Sequence, residues 1–191
     1  MQSVDKTIRE ANKFLKNKEF VKAQDLFKSI LQNYPKNLRA INGLKEIGVS
    51  SLPNISKNSE DLNSKLEMIY GCYDRGDYFV TIEHAKNLTK FHPNNYLIHN
   101  ILGAAYVEIN DFENAKKNYL KSIKINPKGH SARNNLGVMY KKNKQYDEAI
   151  KIYKDLLKDT PNDINLYINL GNALTEKGDS DEAIRYFKIA L

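Results

Sequence analysis

Three prolines, Pro93, Pro127 and Pro161, stand 34 residues apart. A fixed period of that length constrains the fold more than composition does. It means that one supersecondary unit recurs and that each copy buries its apolar face on the next. With each proline set as position 32, units begin at Leu62, Tyr96, His130 and Ile164. In the last three units, position 7 is Leu102, Leu136 and Leu170, and position 8 is Gly103, Gly137 and Gly171. Position 11 reads Tyr106, Tyr140 and Leu174; position 20 reads Ala115, Ala149 and Ala183; position 24 reads Tyr119, Tyr153 and Phe187.

Each recurring residue has a physical role in a helix hairpin. Positions 7 and 11 lie one turn apart on the inner face of a first helix. Small residues at 8 and 20 remove bulk where the two helices of a hairpin cross, and the aromatic at 24 fills the groove between one hairpin and the next. Proline at 32 ends the second helix, since it lacks an N–H and has a fixed φ. Short polar turns, Asn110-Asp111, Lys142 to Gln145 and Lys177 to Asp179, join the helices. Asp111 and Asp179 are expected as N-caps of the second helices.

The N-terminal part is less regular. Ala23, Phe27 and Pro35 fit positions 20, 24 and 32, with a first helix expected over Val4 to Lys16. Leu38 to Val49 reads as a lone first helix, followed by a polar, Pro-containing loop over residues 50–61 that interrupts the array. The unit starting at Leu62 carries Ile69, Cys72 and Thr81 at positions 8, 11 and 20, but keeps Gly76 in its turn and Ala85, Leu88 and Pro93 after it.

The L-G-x-x-Y … A-x-x-x-F/Y … P pattern resembles the tetratricopeptide repeat and extends over nearly the whole chain. The family's Trp at position 4 is replaced by His99, Arg133 and Tyr167. The resemblance implies an all-α fold, an α-solenoid of antiparallel hairpins in a right-handed superhelix, broken near residues 50–61. The expected organisation is 1–49 (a repeat-like unit plus the lone helix), the 50–61 loop, and an array of 62–95, 96–129, 130–163 and 164–191, the last incomplete. The pattern is also similar to the N-terminal repeat regions of bacterial proteins, some of which continue into transferase or oxygenase domains.

Charge raises a competing class. The chain carries 30 Lys or Arg against 23 Asp or Glu, a formal charge of +7. Residues 1–50 hold ten bases against five acids, and 130–163 hold seven against five. Elsewhere the signs nearly cancel, with bases interleaved among acids at helical spacing, as on solvated helix faces. A phosphate-binding stripe is therefore not expected, and neither is nucleic acid as a partner. No stretch has the ~18 uninterrupted apolar residues of a membrane span, and MQSVDKTIREANKFL has no apolar secretory core. A single cysteine, Cys72, excludes an internal disulfide framework. A cytoplasmic protein is the simplest expectation.

Chemistry finds no constellation here. His84, His92, His99 and His130 are scattered without metal-ligand spacing, and every placed glycine has a turn or packing reason. Cys72 falls on an inner helix face, where a small buried residue is expected rather than a nucleophile. The twelve tyrosines mostly occupy packing positions. No catalytic residue, metal or cofactor is expected.

A binding surface remains. In tetratricopeptide repeats, positions 2, 5, 6 and 9 of the first helices line the concave groove. In this chain asparagine recurs there, at Asn12, Asn42, Asn63, Asn100, Asn134, Asn135, Asn165, Asn169 and Asn172. Asn donates and accepts, so a row of it can pair with the backbone of an extended peptide whatever its sequence. The peptide-binding candidates are Asn100, Asn134, Asn135, Asn165, Asn169 and Asn172. Similar ladders at position 6 hold peptides in O-linked N-acetylglucosamine transferases, and Asn135 and Asn169 match that position while Ile101 departs. The other reading is spelling alone, because the chain holds 23 Asn and is rich in Lys, Ile and Tyr. The family's carboxylate clamp needs Lys and Arg at positions 2 and 6, where Ser131 and Asn135, or Asn165 and Asn169, stand instead.

The resemblance therefore implies a protein-interaction scaffold holding a peptide or protein partner, without activity of its own. The alternative is the substrate-recruiting arm of a larger glycosyltransferase- or sulfotransferase-like enzyme whose catalytic domain lies beyond Leu191. Because the last hairpin stops short of its proline position, the chain reads as a fragment, and its unfinished edge offers a route to self-association.

Overall fold

A computed structural model describes residues 4–34, 37–50 and 62–191. Pro35 and all but the first residue of the 50–61 loop lie outside the described residues. Those described form eleven α-helices and no strands. They are α1 (Val4–Lys16), α2 (Phe20–Asn33), α3 (Leu38–Ser50), α4 (Leu62–Asp74), α5 (Tyr78–Phe91), α6 (Tyr96–Glu108), α7 (Phe112–Ile125), α8 (His130–Lys142), α9 (Tyr146–Asp159), α10 (Ile164–Lys177) and α11 (Ser180–Ala190). Helices begin at Leu62, Tyr96, His130 and Ile164, the first residues of the four units. Pro93, Pro127 and Pro161 each stand two residues past a second helix.

The chain divides into two compact units, Met1–Asn87 and Leu88–Leu191. In the first, α1 and α2 form a hairpin and α3 packs on both. Ala11, Leu15, Ala23, Phe27, Ile30, Leu44 and Ile47 make its core, with Phe79 of α5 packed against it. The helix expected to stand alone thus covers the first hairpin. A Cβ placed on Gly43 of α3 would run into the Phe27 ring, and one on Gly48 would stand 3.6 Å from Val80 Cα of α5. A polar tie adds to this packing: Gln24 Nε2 and Lys28 Nζ donate to Asp77 Oδ1 at 2.5 and 2.9 Å.

In the second unit, α6–α7, α8–α9 and α10–α11 are hairpins, and α7 meets α8 as α9 meets α10. First helices also touch, α6 against α8 and α8 against α10, while α7, α9 and α11 do not approach one another. First helices that meet while second helices diverge put the first helices on the inner side of a stacked, solenoidal unit. The aromatic at position 24 has, besides the groove-filling role expected for it, a seat within its own hairpin. A Cβ on Gly103 would lie 2.5 Å from Tyr119 Cε1, one on Gly137 2.7 Å from Tyr153 Cε1, and one on Gly171 2.5 Å from Phe187 Cε1. The glycine is the seat of the aromatic ring of its own hairpin. The same ring reaches the next hairpin, since Tyr153 shares a core with Leu166 and Leu170.

Asp111 caps α7, accepting from Asn114 N–H at 3.2 Å. Asp179 stands at the N-cap of α11 but accepts no capping bond there. Its carboxylate turns instead to Lys177, 3.0 Å away, so the expected cap is replaced by an ion pair. Caps on the first helices went unpredicted: Asn95 accepts from Leu97 and Ile98 N–H, and Asp163 from Asn165 and Leu166 N–H.

Candidate functional site

All six candidate asparagines lie in the second unit, on its first helices. Four of them are brought together in pairs. Asn135 Nδ2 donates to Asn100 Oδ1 at 3.1 Å, and Asn169 Nδ2 donates to Asn134 Oδ1 at 3.1 Å. In both pairs, position 6 of one first helix reaches back to position 5 of the preceding one. Asn165 and Asn172 are exposed and join neither pair, while the four paired residues are half-buried. Of the other asparagines on this pattern, Asn12, Asn42 and Asn63 belong to the first unit and are exposed.

The pairing follows from helix geometry. Residues 34 apart occupy equivalent places on adjacent first helices, and a step of one more residue turns the side chain by ~100° toward its neighbour. Each bond uses one donor and one lone pair of two carboxamides, which together offer four N–H donors and two oxygens. The bond therefore orients both amides while leaving capacity to contact a ligand. At other positions of the same groove pattern stand Ala104 and Val138, half-buried, and Ile168, exposed. At the ends of the same helices, Lys142 pairs with Glu108 at 3.1 Å and Lys141 with Glu176 at 3.0 Å.

Two of the three residues that replace the family's Trp share a task that spacing alone did not reveal. His99, fully buried, has Nε2 3.0 Å from the Pro93 carbonyl, and since that oxygen only accepts, Nε2 carries the proton. Tyr167 donates its hydroxyl to the Pro161 carbonyl at 3.0 Å. Arg133 instead donates to Asp159 at 2.9 Å, at the end of α9. His99 and Tyr167 each fasten a first helix to the chain segment that leads into it, whereas Arg133 ties α8 to the far end of the second helix of its own hairpin. The signal was present, because His99 and Tyr167 each follow a period proline by six residues.

Two further groups were candidates for chemistry. Burial pushes the Cys72 thiol up; the Arg75 guanidinium beside it opposes this, donating to Sγ at 3.4 Å, while Asp77 adds to it. A buried thiol held protonated is a poor nucleophile. His84 is buried with Nδ1 lacking a hydrogen bond, and burial pushes its pKa below the ordinary histidine value against a weaker pull from Glu83. Among the described residues no group of three His, Cys, Asp or Glu could hold a metal ion. No described helix is long and apolar enough to cross a membrane.

Comparison with known proteins was made for sequence and for fold. Two tetratricopeptide-repeat family models match, one over residues 130–191 and one over residues 103–144. No curated protein matches the chain significantly. Among solved structures, a crystal structure of MamA protein is similar, with 24% identity over 98% of this chain and 90% of that one, at a TM-score of 0.58. A tetratricopeptide repeat protein from Parabacteroides merdae ATCC 43184 has 18% identity over 97% of this chain and 78% of its own, at a TM-score of 0.63. At such identities the solved structures speak for the fold. The 34-residue register, the hairpins built on it and the two family matches agree that residues 103–191 are tetratricopeptide repeats.

Proposed function

We propose that this protein is an interaction scaffold whose first-helix face, over α6, α8 and α10, holds an extended peptide segment of a partner protein. The observation that carries the reading is the pair of inter-helix asparagine bonds, Asn135 to Asn100 and Asn169 to Asn134. An amide already held by its neighbour loses little freedom when it meets a ligand, so preorganisation favours binding. Adjacent packed helices lie about 8–10 Å apart, and an extended peptide rises about 3.3 Å per residue. Successive amide pairs would thus meet the peptide about every third residue. Asn165 and Asn172, exposed on α10, would extend the row. The division of the array into units from 62 to 191, and a cytoplasmic location, belong to the same proposal.

The test starts from peptides selected out of a phage-displayed random library against the full chain. Their affinities are then measured by fluorescence anisotropy for the wild type and for Asn135→Ala/Asn169→Ala. Loss of two neutral hydrogen bonds at about 0.5–1.5 kcal/mol each weakens binding by roughly fivefold to a hundredfold. The variant's far-UV circular dichroism stays that of the wild type. Unchanged affinity in the folded variant would refute the asparagine row.

A further inference from the structure

The interleaving of charges expected from the sequence fails in one stretch. From Asn114 to Tyr146 there is no Asp or Glu, and there are nine Lys or Arg. Four of the nine have partners. Arg133, Lys141 and Lys142 reach Asp159, Glu176 and Glu108, and Lys116 lies over the Tyr140 ring, 5.7 Å from its centre. Lys117, Lys121 and Lys124 of α7, and Lys128 in the turn after it, are exposed. Among the described residues none of these four takes part in an ion pair.

On a helix, residues 117, 121 and 124 fall within an arc of ~60° and span about 10 Å along the axis. Leu120, 47% exposed, flanks that line. The next second helix provides an internal comparison. At the equivalent places α9 carries Lys151, Asp155 and Lys158, and Asp155 pairs with Lys158 at 2.7 Å. Where α9 has an acid, α7 has Lys121. Like charges at i, i+3 and i+4 repel, and a Glu at 121 would have relieved that repulsion. Glu113, four residues before Lys117, and the C-terminal end of the helix dipole beside Lys124 offset part of that repulsion, and Lys121 is left without either.

We infer that the exposed face of α7 is a docking surface for an acidic helical segment of a partner protein, with carboxylates at i, i+4 and i+7 and an apolar residue beside them to cover Leu120. The stripe is one helix wide. The equivalent face of α9 breaks it with Asp155, so the positive field does not broaden into the track a nucleic acid backbone follows. The exposed leucine at its margin offers an apolar contact that a phosphate backbone does not use. This surface is separate from the asparagine row and does not rest on it.

The probe is a fluorescein-labelled alanine-based peptide with Glu at i, i+4, i+7 and i+11 and Leu beside them. A second peptide of the same composition has its Glu residues contiguous. Both are titrated by anisotropy against the full chain at about 50 mM salt. The patterned peptide is expected to bind at least about tenfold more tightly than the contiguous one, and to weaken steeply as salt rises. Lys117→Glu/Lys121→Glu/Lys124→Glu is expected to lose that binding. Lys13→Glu/Lys16→Glu/Lys45→Glu, of equal net charge, is expected to change it less than about twofold. Single Lys121→Glu is expected to weaken binding while its melting temperature holds or rises, which separates lost docking from lost folding. Equal binding of the two peptides, equal loss in the two triple variants, or tighter binding of an oligothymidine or of phosphatidylserine vesicles would overturn the inference.

Discussion

At the scale of single residues, the packing is a set of volume exchanges across one contact. Gly103, Gly137 and Gly171 at position 8 leave room for Tyr119, Tyr153 and Phe187 at position 24. In the irregular unit the sizes are reversed: Ile69 stands at position 8 and Ala85 at position 24, both fully buried. What is held constant is the summed volume, as dense cores require. The prediction at this scale is that Gly103→Ala destabilises the protein by about 1–2 kcal/mol. The new Cβ would sit within 3.0 Å of three Tyr119 ring atoms, and the ring is buried with nowhere to move. Overpacking costs about 1–3 kcal/mol and outweighs the ~1 kcal/mol gained in helix propensity. Urea denaturation followed by circular dichroism measures the difference, and adding Tyr119→Leu should recover part of it. The same packing leaves Tyr153 with a buried hydroxyl that has no hydrogen-bond partner, and burial pushes its pKa well above the ordinary value.

At the scale of elements, the hairpin turn is more uniform than the helices it joins. A left-handed residue occupies position 15 in every hairpin: Lys18 (φ 60°), Gly76 (φ 76°), Asn110 (φ 59°), Lys144 (φ 59°) and Gly178 (φ 100°). Only Gly adopts this conformation without cost, and Asn tolerates it better than Lys. The turn thus imposes the backbone, and two of the five hairpins accept a residue that resists it. Lys144→Gly is accordingly expected to raise stability by about 0.5–1 kcal/mol, seen as a higher urea midpoint at constant slope. A lower midpoint would show that the lysine side chain compensates through contacts of its own. The hairpin that starts at Leu62 is the harder one to read from sequence, because Ile69, Cys72 and Thr81 depart from the pattern at positions 8, 11 and 20. Thr81 is accommodated because its hydroxyl donates at 3.0 Å to the carbonyl of Asp77, the residue just before its own helix.

At the largest scale, each helix of the second unit meets only its sequence neighbours and, for first helices, the next first helix, among the described residues. Such a quasi-one-dimensional stack transmits stability through adjacent interfaces alone. Gly103→Ala should therefore raise amide hydrogen exchange most in α6 and α7, less in α8 and α9, and least in α10 and α11. Exchange read by mass spectrometry on peptic fragments checks this gradient. Equal acceleration across the three hairpins would mean that the second unit opens as one block.

The sequence by itself determined the period, the helix starts at Leu62, Tyr96, His130 and Ile164, and the resemblance to the tetratricopeptide repeat. These follow from local rules: proline ends a helix, glycine admits a ring, and a 34-residue step returns each to the same place. It also marked which asparagines share a face. Only the tertiary structure decided that Asn100, Asn134, Asn135 and Asn169 bond to one another, because a side chain's partner depends on how far the neighbouring helix is rotated. It decided as well that Asp179 meets Lys177 rather than capping α11, and that α3 covers the first hairpin. It also found cross-helix acids for Arg133, Lys141 and Lys142 and, among the described residues, none for the α7 lysines. Charge pairing across the stack is a matter of distances of a few ångströms between residues about 26 to 35 positions apart, which periodicity indicates but only packing sets.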